Sequence, residues 1–217
     1  MPEHRMNEYY RERARDYEQI YYRDNPARQA ELAAGRDQLI ELVTGRDVLE
    51  LACGTGYWTE AMSRAARSLV ATDIEPAMIE MARTKRFAID VGFRCVDMFT
   101  EQFEPVHDVI ALGFWFSHQP RQEYGQLFDI LTKPLRPDGK IWMIDNNPPA
   151  EGPANDSVGV DQYGNNFKVR RLGDGREFII LKNYFGEDEL QALLERRFVV
   201  EKLVFGYYYW STILTPR

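Results

Sequence analysis

Apolar positions change their period along the chain. In the first 25 residues they are sparse, and the segment is polar and rich in tyrosine. Tyr10, Tyr17 and Tyr21 share one face at helical spacing, which predicts a cap helix over residues 1–25. Asn25-Pro26 ends it, because the residue before a proline avoids the helical region. A second helix is predicted over about Ala27–Val43, with Leu32, Leu39, Ile40 and Val43 apolar and Gly45 as its stop. The pattern then turns into short, wholly apolar runs. Val48–Ala52, Leu69–Asp73, Phe93–Val96, Asp108–Gly113 and Ile141–Asp145 read as buried strands. Trp58–Arg67, Pro76–Lys85 and Arg121–Leu131 read as the helices between them, and Pro137-Asp138-Gly139 as a turn.

This alternation predicts a parallel sheet with helices on both faces. Phe198–Phe205 and Tyr207–Leu214 are separated by Gly206 alone, which is too short for a helical crossover, so that pair runs antiparallel. The expected fold is an α/β, three-layer Rossmann-like sandwich whose seven-stranded, mostly parallel sheet has one antiparallel strand. Within Tyr207-Tyr208-Tyr209-Trp210, alternate rings are expected to be buried. Residues 146–184 break the alternation. They are rich in Pro, Gly, Asn and Asp and contain a hairpin, Phe167–Leu172 and Arg176–Leu181, around Gly173-Asp174-Gly175. An insert at the carboxyl edge of the sheet reads as a lid on a single domain, residues 1–217.

Composition narrows the function. The chain has 217 residues, 44% hydrophobic and 28% charged, which rules out a disordered protein. Lys and Arg total 27 against 34 Asp and Glu, a net charge of −7, so the basic footprint of a nucleic-acid binder is missing. No apolar run is long enough to span a bilayer, and Met1–Arg5 carries no secretion signal. Cys53 and Cys95 make no disulfide framework. The expectation is a cytoplasmic protein with reduced thiols, without nucleic-acid or membrane partners; the sequence does not set its oligomeric state.

The first strand runs into Cys53-Gly54-Thr55-Gly56. Two glycines allow a sharp turn and a close approach of backbone to ligand, and the next helix aims its free N–H groups at the same space. A dinucleotide site would want a third glycine where Thr59 stands, and Glu50 would repel a pyrophosphate. Glu50 suits a ligand with an ammonium and a sulfonium, which favours S-adenosylmethionine over NAD. Asp73, at the end of the second strand, is placed to accept from ribose hydroxyls, although Asp at a strand end also caps helices. Asp97 and Met98, after the third strand, could hold an adenine or serve as a loop carboxylate and a core side chain.

Val48–Gly56, Ala71-Thr72-Asp73-Ile74, Cys95-Val96-Asp97-Met98 and Leu135–Lys140 together resemble the class I S-adenosylmethionine-dependent methyltransferases. The resemblance runs motif by motif from Asp47 to Asp145, and the strand order extends it to the end of the chain. It implies S-adenosylmethionine as cofactor and S-adenosylhomocysteine as product. It implies a cofactor site of Tyr17, Glu50, Ala52, Gly54, Gly56, Asp73, Ile74, Asp97, Met98 and Gly113. Tyr17-Glu18 is similar to the tyrosine-acidic pair that some members fold over the cofactor; a packed amphipathic helix explains it equally well.

For the acceptor, the informative stretch is Gly113–Pro120, past the fourth strand. His118 is the one histidine at the carboxyl edge; His4 is in the tail and His107 at the other edge. His118 is a candidate general base with an expected acid limb near pH 6–7, or else a helix cap. Tyr10, Trp115, Phe116 and Asn146 are candidate substrate contacts, the aromatic ones for a planar, phenolic acceptor. Three signals are discounted. Asn147-Pro148-Pro149-Ala150 follows the fifth strand and lacks the aromatic residue of adenine N6 methyltransferases. Asp145-Asn146 resembles a magnesium pair, but Gly113 stands where the third ligand belongs, so no metal is expected. Arg170-Arg171 reads as a solvated pair on an exposed hairpin. A protein or RNA methyltransferase, a cofactor-binding protein that does not transfer methyl (a cyclase, for example) and an NAD oxidoreductase remain as rival classes.

Overall fold

In the computed structural model, residues 6–148 and 157–217 are described. The start of the expected cap helix, His4, Pro149-Ala150 and the rest of the insert up to residue 156 lie outside them. The strands β1 (Asp47–Leu51), β2 (Ser68–Asp73), β3 (Val91–Cys95), β4 (His107–Gly113), β5 (Leu135–Asn146), β9 (Phe198–Phe205) and β10 (Tyr209–Pro216) form one sheet. Its order is β3-β2-β1-β4-β5-β10-β9, with β10 antiparallel to both its neighbours and the other pairs parallel. The Rossmann-like architecture is therefore the one expected, with a single reversed strand.

The apolar runs are continuous because both sheet faces are covered. Leu49 and Leu51, Ile110 and Leu112, and Ile141 and Met143 pack with α5 (Tyr124–Thr132) and α6 (Glu187–Leu194). Their neighbours Val48, Val109, Ala111, Trp142 and Ile144 pack on the other face with α2 (Pro26–Val43) and α3 (Tyr57–Ser63). The chain order reverses between β1 and β4, and ligands of open α/β sheets bind in the crevice at that point. α4 (Pro76–Arg83) follows β2, with Glu75 as its N-cap. Among the described residues, no helix is long and apolar enough to cross a membrane.

Several local expectations are corrected. The cap is not one helix: α1 (Met6–Arg13) passes into a 3₁₀ segment, Ala14–Ile20, yet the tyrosine face persists, with ring centroids of Tyr10 and Tyr17 5.7 Å apart and of Tyr17 and Tyr21 6.1 Å apart. Pro137–Gly139 is no free turn. It is absorbed into β5 as a bulge, with Asp138 at φ 64° and the register moving from His107↔Leu135 to Val109↔Lys140. Tyr207 and Tyr208 form the turn before β10, where the Glu31 carboxylate accepts the N–H groups of Tyr207, Tyr208 and Tyr209. Tyr209 and Trp210 are both buried, because each face of β10 has a layer to pack against.

The insert contains one strand more than expected. β6 (Ser157–Val160), β7 (Asn166–Arg171) and β8 (Glu177–Leu181) form a separate antiparallel sheet. The third strand was hidden by Gly159 and by a wholly exposed, unpatterned surface.

Candidate active site

The carboxyl ends of β1 and β4 are where the backbone departs from ordinary conformations. Ala52, Gly54 and Gly56 have φ of 51°, 55° and 85°, and Phe114, just past β4, has φ 58°. Left-handed backbone at a non-glycine residue costs about 1–2 kcal/mol, and two such residues face the same cavity of about 260 Å³. The α1 and 3₁₀ segments roof it with Tyr10 and Tyr17.

Eleven expected site residues line this one cavity: Tyr10, Tyr17, Ala52, Gly54, Asp73, Ile74, Asp97, Met98, Gly113, Trp115 and His118. Asp73 braces the glycine turn, its carboxylate accepting the N–H groups of Gly54 at 2.8 Å and Glu75 at 2.9 Å. Helix capping falls to Glu75, which accepts from Ala77. Glu75 also holds α1 in place through both carboxylate oxygens, each 3.1 Å from Arg11 Nε. Asp97 accepts the Phe99 N–H at 2.9 Å while facing the cavity. At Gly113, an added Cβ would stand 2.5 Å from the Trp58 ring, so packing requires this glycine.

Four expected site residues are placed elsewhere. Phe116 is wholly buried in the core, stacked on Tyr124 at 4.6 Å; the 3₁₀ turn Phe116–His118 turns it away from Trp115. At Gly56 an added Cβ would stand 3.2 Å from Ala82 of α4, and the residue does not line the cavity. The Asn146 side chain folds back to donate to Asp145 at 3.0 Å. Glu50 lies behind the cavity wall, 1% exposed, and accepts from the Thr59 hydroxyl at 2.5 Å. Thr59 thus occupies the place of a third glycine because Glu50 needs a donor.

Burial raises the Glu50 pKa to about 8, against the Thr59 hydrogen bond, which lowers it. The folded chain then holds a proton that the unfolded chain releases near pH 4–5. Stability from this group is full at low pH and is lost as pH rises toward 8. A melting-temperature series from pH 5 to 8 should show that decline in the ligand-free wild type, and Glu50→Gln should flatten it. Parallel curves would mean that Glu50 is ionised in the folded protein.

His118 is 6% exposed and held at both ring nitrogens. Nδ1 is 2.7 Å from the Leu181 carbonyl at the end of β8. A carbonyl only accepts, so Nδ1 carries the hydrogen and Nε2 keeps its lone pair. The Tyr10 hydroxyl, 2.8 Å from Nε2, then donates to it. The ring caps no helix; it ties the loop after β4 to α1 and to the insert. Burial and the Lys182 charge push its pKa down, with Asp145 opposing. The expected acid limb at pH 6–7 is accordingly moved to lower pH. Burial also raises Tyr10 well above an ordinary phenol and Tyr17 to about 12, so both roof hydroxyls stay protonated.

Beneath His118 is a buried ion pair that the sequence did not suggest. Lys182 Nζ lies 3.0 Å from Asp145 Oδ1 and also donates to the Ser117 hydroxyl. Asp145 accepts the N–H groups of Ser117 at 2.8 Å and Asn146 at 2.7 Å. Burial works against its charge, but Lys182 and these donors hold its pKa below the usual carboxylate range. Asp145 therefore serves the junction of insert and sheet. Arg171 pairs with Glu177 on the exposed hairpin.

A sheet of this order, with a glycine turn and a half-buried strand-end carboxylate at its switch point, is the Rossmann-like fold of solved methyltransferases. Residues 48–139 match the methyltransferase domain family. Over that stretch, and in the fold of its sheet, the chain is similar to the class I S-adenosylmethionine-dependent methyltransferases. It is 31% identical over 109 residues to a cypemycin N-terminal methyltransferase of Streptomyces sp, covering 49% of this chain and 44% of the relative. It is 40% identical over 71 residues to a malonyl-[acyl-carrier protein] O-methyltransferase of Bacillus anthracis, covering 32% of this chain and 26% of the relative. The matches thus span less than half the length of these curated relatives. Similarity over nearly the full length is found with a solved DhpI–SAH complex, at TM-score 0.77 and 26% identity, covering 97% of this chain and 94% of that one. A DhpI–SAM–HEP complex matches at TM-score 0.77 and 25% identity, covering 96% of this chain and 95% of that one.

Proposed function

We propose that this chain binds S-adenosylmethionine in the cavity at the β1–β4 switch point and methylates an oxygen, nitrogen or carbon atom of a small-molecule acceptor. One observation carries the reading: a single cavity joins the Gly54–Asp73 turn to the Tyr10–His118 pair. The donor set fits this cofactor. Asp73 is a half-buried acceptor for hydroxyl groups, and Ile74 and Met98 offer apolar contact. Any side chain at residue 54 would meet a positive φ and point at Tyr17, 3.9 Å from its ring.

When bound, S-adenosylmethionine supplies a methyl group already activated by its sulfonium. Tyr17, Ala52, Gly54, Asp73, Ile74, Asp97 and Met98 hold it. The roof residues exclude water, which strengthens the alignment of the reacting groups. Trp115 and Tyr10 offer faces to a planar acceptor. Neutral His118 offers Nε2 as proton acceptor once an acceptor hydroxyl or N–H takes the place of the Tyr10 hydroxyl.

Calorimetry on the full chain should give micromolar binding of S-adenosylmethionine, about −8 kcal/mol. Asp73→Ala should weaken it by about 1–3 kcal/mol through unpaired hydroxyls. NAD binding without S-adenosylmethionine binding would overturn the reading.

A further inference from the structure

Several exposed arginines of this acidic chain are matched to carboxylates: Arg11 to Glu75, Arg67 and Arg136 to Asp47 and Asp108, Arg121 to Glu189. Four others gather beside the cavity without one. Arg13 ends α1, Arg23 precedes α2, Arg28 lies in the first turn of α2 and Arg170 is in β7; among the described residues none forms an ion pair with a carboxylate.

Their positions converge. Arg13 Cζ is 5.9 Å from the ring of Tyr17, one wall of the cavity. Arg28 Cζ is 4.8 Å from the ring of Tyr209, which lies 5.3 Å from Phe114, another wall. Arg23 feels the charges of Arg28, Arg13 and Arg170, and burial together with these like charges lowers its pKa. The charge of Arg170 also opposes protonation of His118 and Lys182.

Clustered like charges are unfavourable, and the chain has 34 Asp and Glu from which a partner could have been drawn. Glu31, one turn along α2 from Arg28, is spent on the backbone of residues 207–209. Arg28 Nε is buried and has no hydrogen-bond partner. Stacking on Tyr209 fixes the direction of that N–H but does not satisfy it. An oriented guanidinium whose Nε–H is unsatisfied, set among further cations, suits an oxyanion, which can accept N–H bonds from it.

We propose that Arg13, Arg23, Arg28 and Arg170 form an oxyanion subsite, and that the methyl acceptor carries a carboxylate or phosphoryl group bound there. The acceptor's role rests on the methyltransferase reading; binding of the anion does not.

The test uses the full chain at constant ionic strength, with sodium phosphate or sodium malonate replacing sodium chloride. Either anion should raise the melting temperature by several degrees above chloride, phosphate pointing to a phosphoryl group and malonate to a carboxylate. Arg28→Gln/Arg170→Gln should abolish the shift. Arg23→Gln should weaken binding about tenfold with the Tyr209 packing untouched. Arg196→Gln, an exposed arginine of another surface, should leave the shift intact. Anions no better than chloride, or a shift that survives in the double variant, would overturn the subsite. Binding of S-adenosylmethionine alone, with phosphate and malonate inert, removes the subsite and keeps the methyltransferase reading. Arginine-dependent anion binding without S-adenosylmethionine binding does the reverse.

Discussion

Replacing His118 by alanine should lower kcat by about 10²–10⁴-fold and leave the affinity for S-adenosylmethionine nearly unchanged. The argument is geometric. Nδ1 is fixed by the Leu181 carbonyl, so Nε2 must present a lone pair to the cavity side, where Tyr10 now donates. A base works while neutral, and its activity falls as pH drops through its pKa. Burial and Lys182 depress that pKa, so the neutral form persists below the ordinary histidine range. Turnover should therefore stay flat between pH 8 and 6 where His118 is the limiting group. Tyr10→Phe separates the roles: it frees Nε2 without removing it, and should change KM more than kcat. Near-wild-type kcat in a folded His118→Ala enzyme would leave proximity and desolvation as the mechanism.

Lys182→Met should be the most destabilising substitution near the site, costing about 3–5 kcal/mol, because it leaves Asp145 buried and uncompensated. For a chain of this size that lowers Tm by roughly 6–20 °C. The loss should shrink at low pH. Without Lys182 the folded-state pKa of Asp145 is raised, so the variant is most stable below the unfolded carboxylate pKa and weakens as pH rises. Lys182→Met/Asp145→Asn should recover part of the stability, since no buried charge remains. Lys182→Met alone should move the acid limb of His118 upward, as one of the charges opposing its protonation is gone while Asp145 stays. Equal Tm for wild type and Lys182→Met would show that the pair is solvated and contributes nothing.

The sheet was legible in the sequence to a useful degree. Strand and helix periods are local, and the short link at Gly206 forced the antiparallel pair. The glycine turn was legible for the same reason: Gly54, Gly56 and the residues around them act through their own backbone geometry. Nine of the eleven site residues reach the cavity because the strand ends they follow converge at a switch point, while Tyr10 and Tyr17 are brought there by α1 and the 3₁₀ segment. Phe116 misled because adjacent aromatic residues look alike in sequence, while a 3₁₀ turn sends Trp115 to the cavity and Phe116 to the core.

What the sequence by itself determined, then, is the order of elements, the reversed strand and the residues at the strand ends, all of which follow from periodicity and short links. Only the tertiary structure decided that Glu50 lies behind the wall as a partner of Thr59, and that His118 is held neutral between α1 and the insert. It also paired Lys182 with Asp145 and gathered arginines from α1, α2 and β7. These outcomes depend on contacts between distant segments, such as Tyr10 and His118, 108 residues apart in the chain. Burial and neighbouring charge set the chemistry of an ionisable group, and both are properties of the packed layers, not of local sequence.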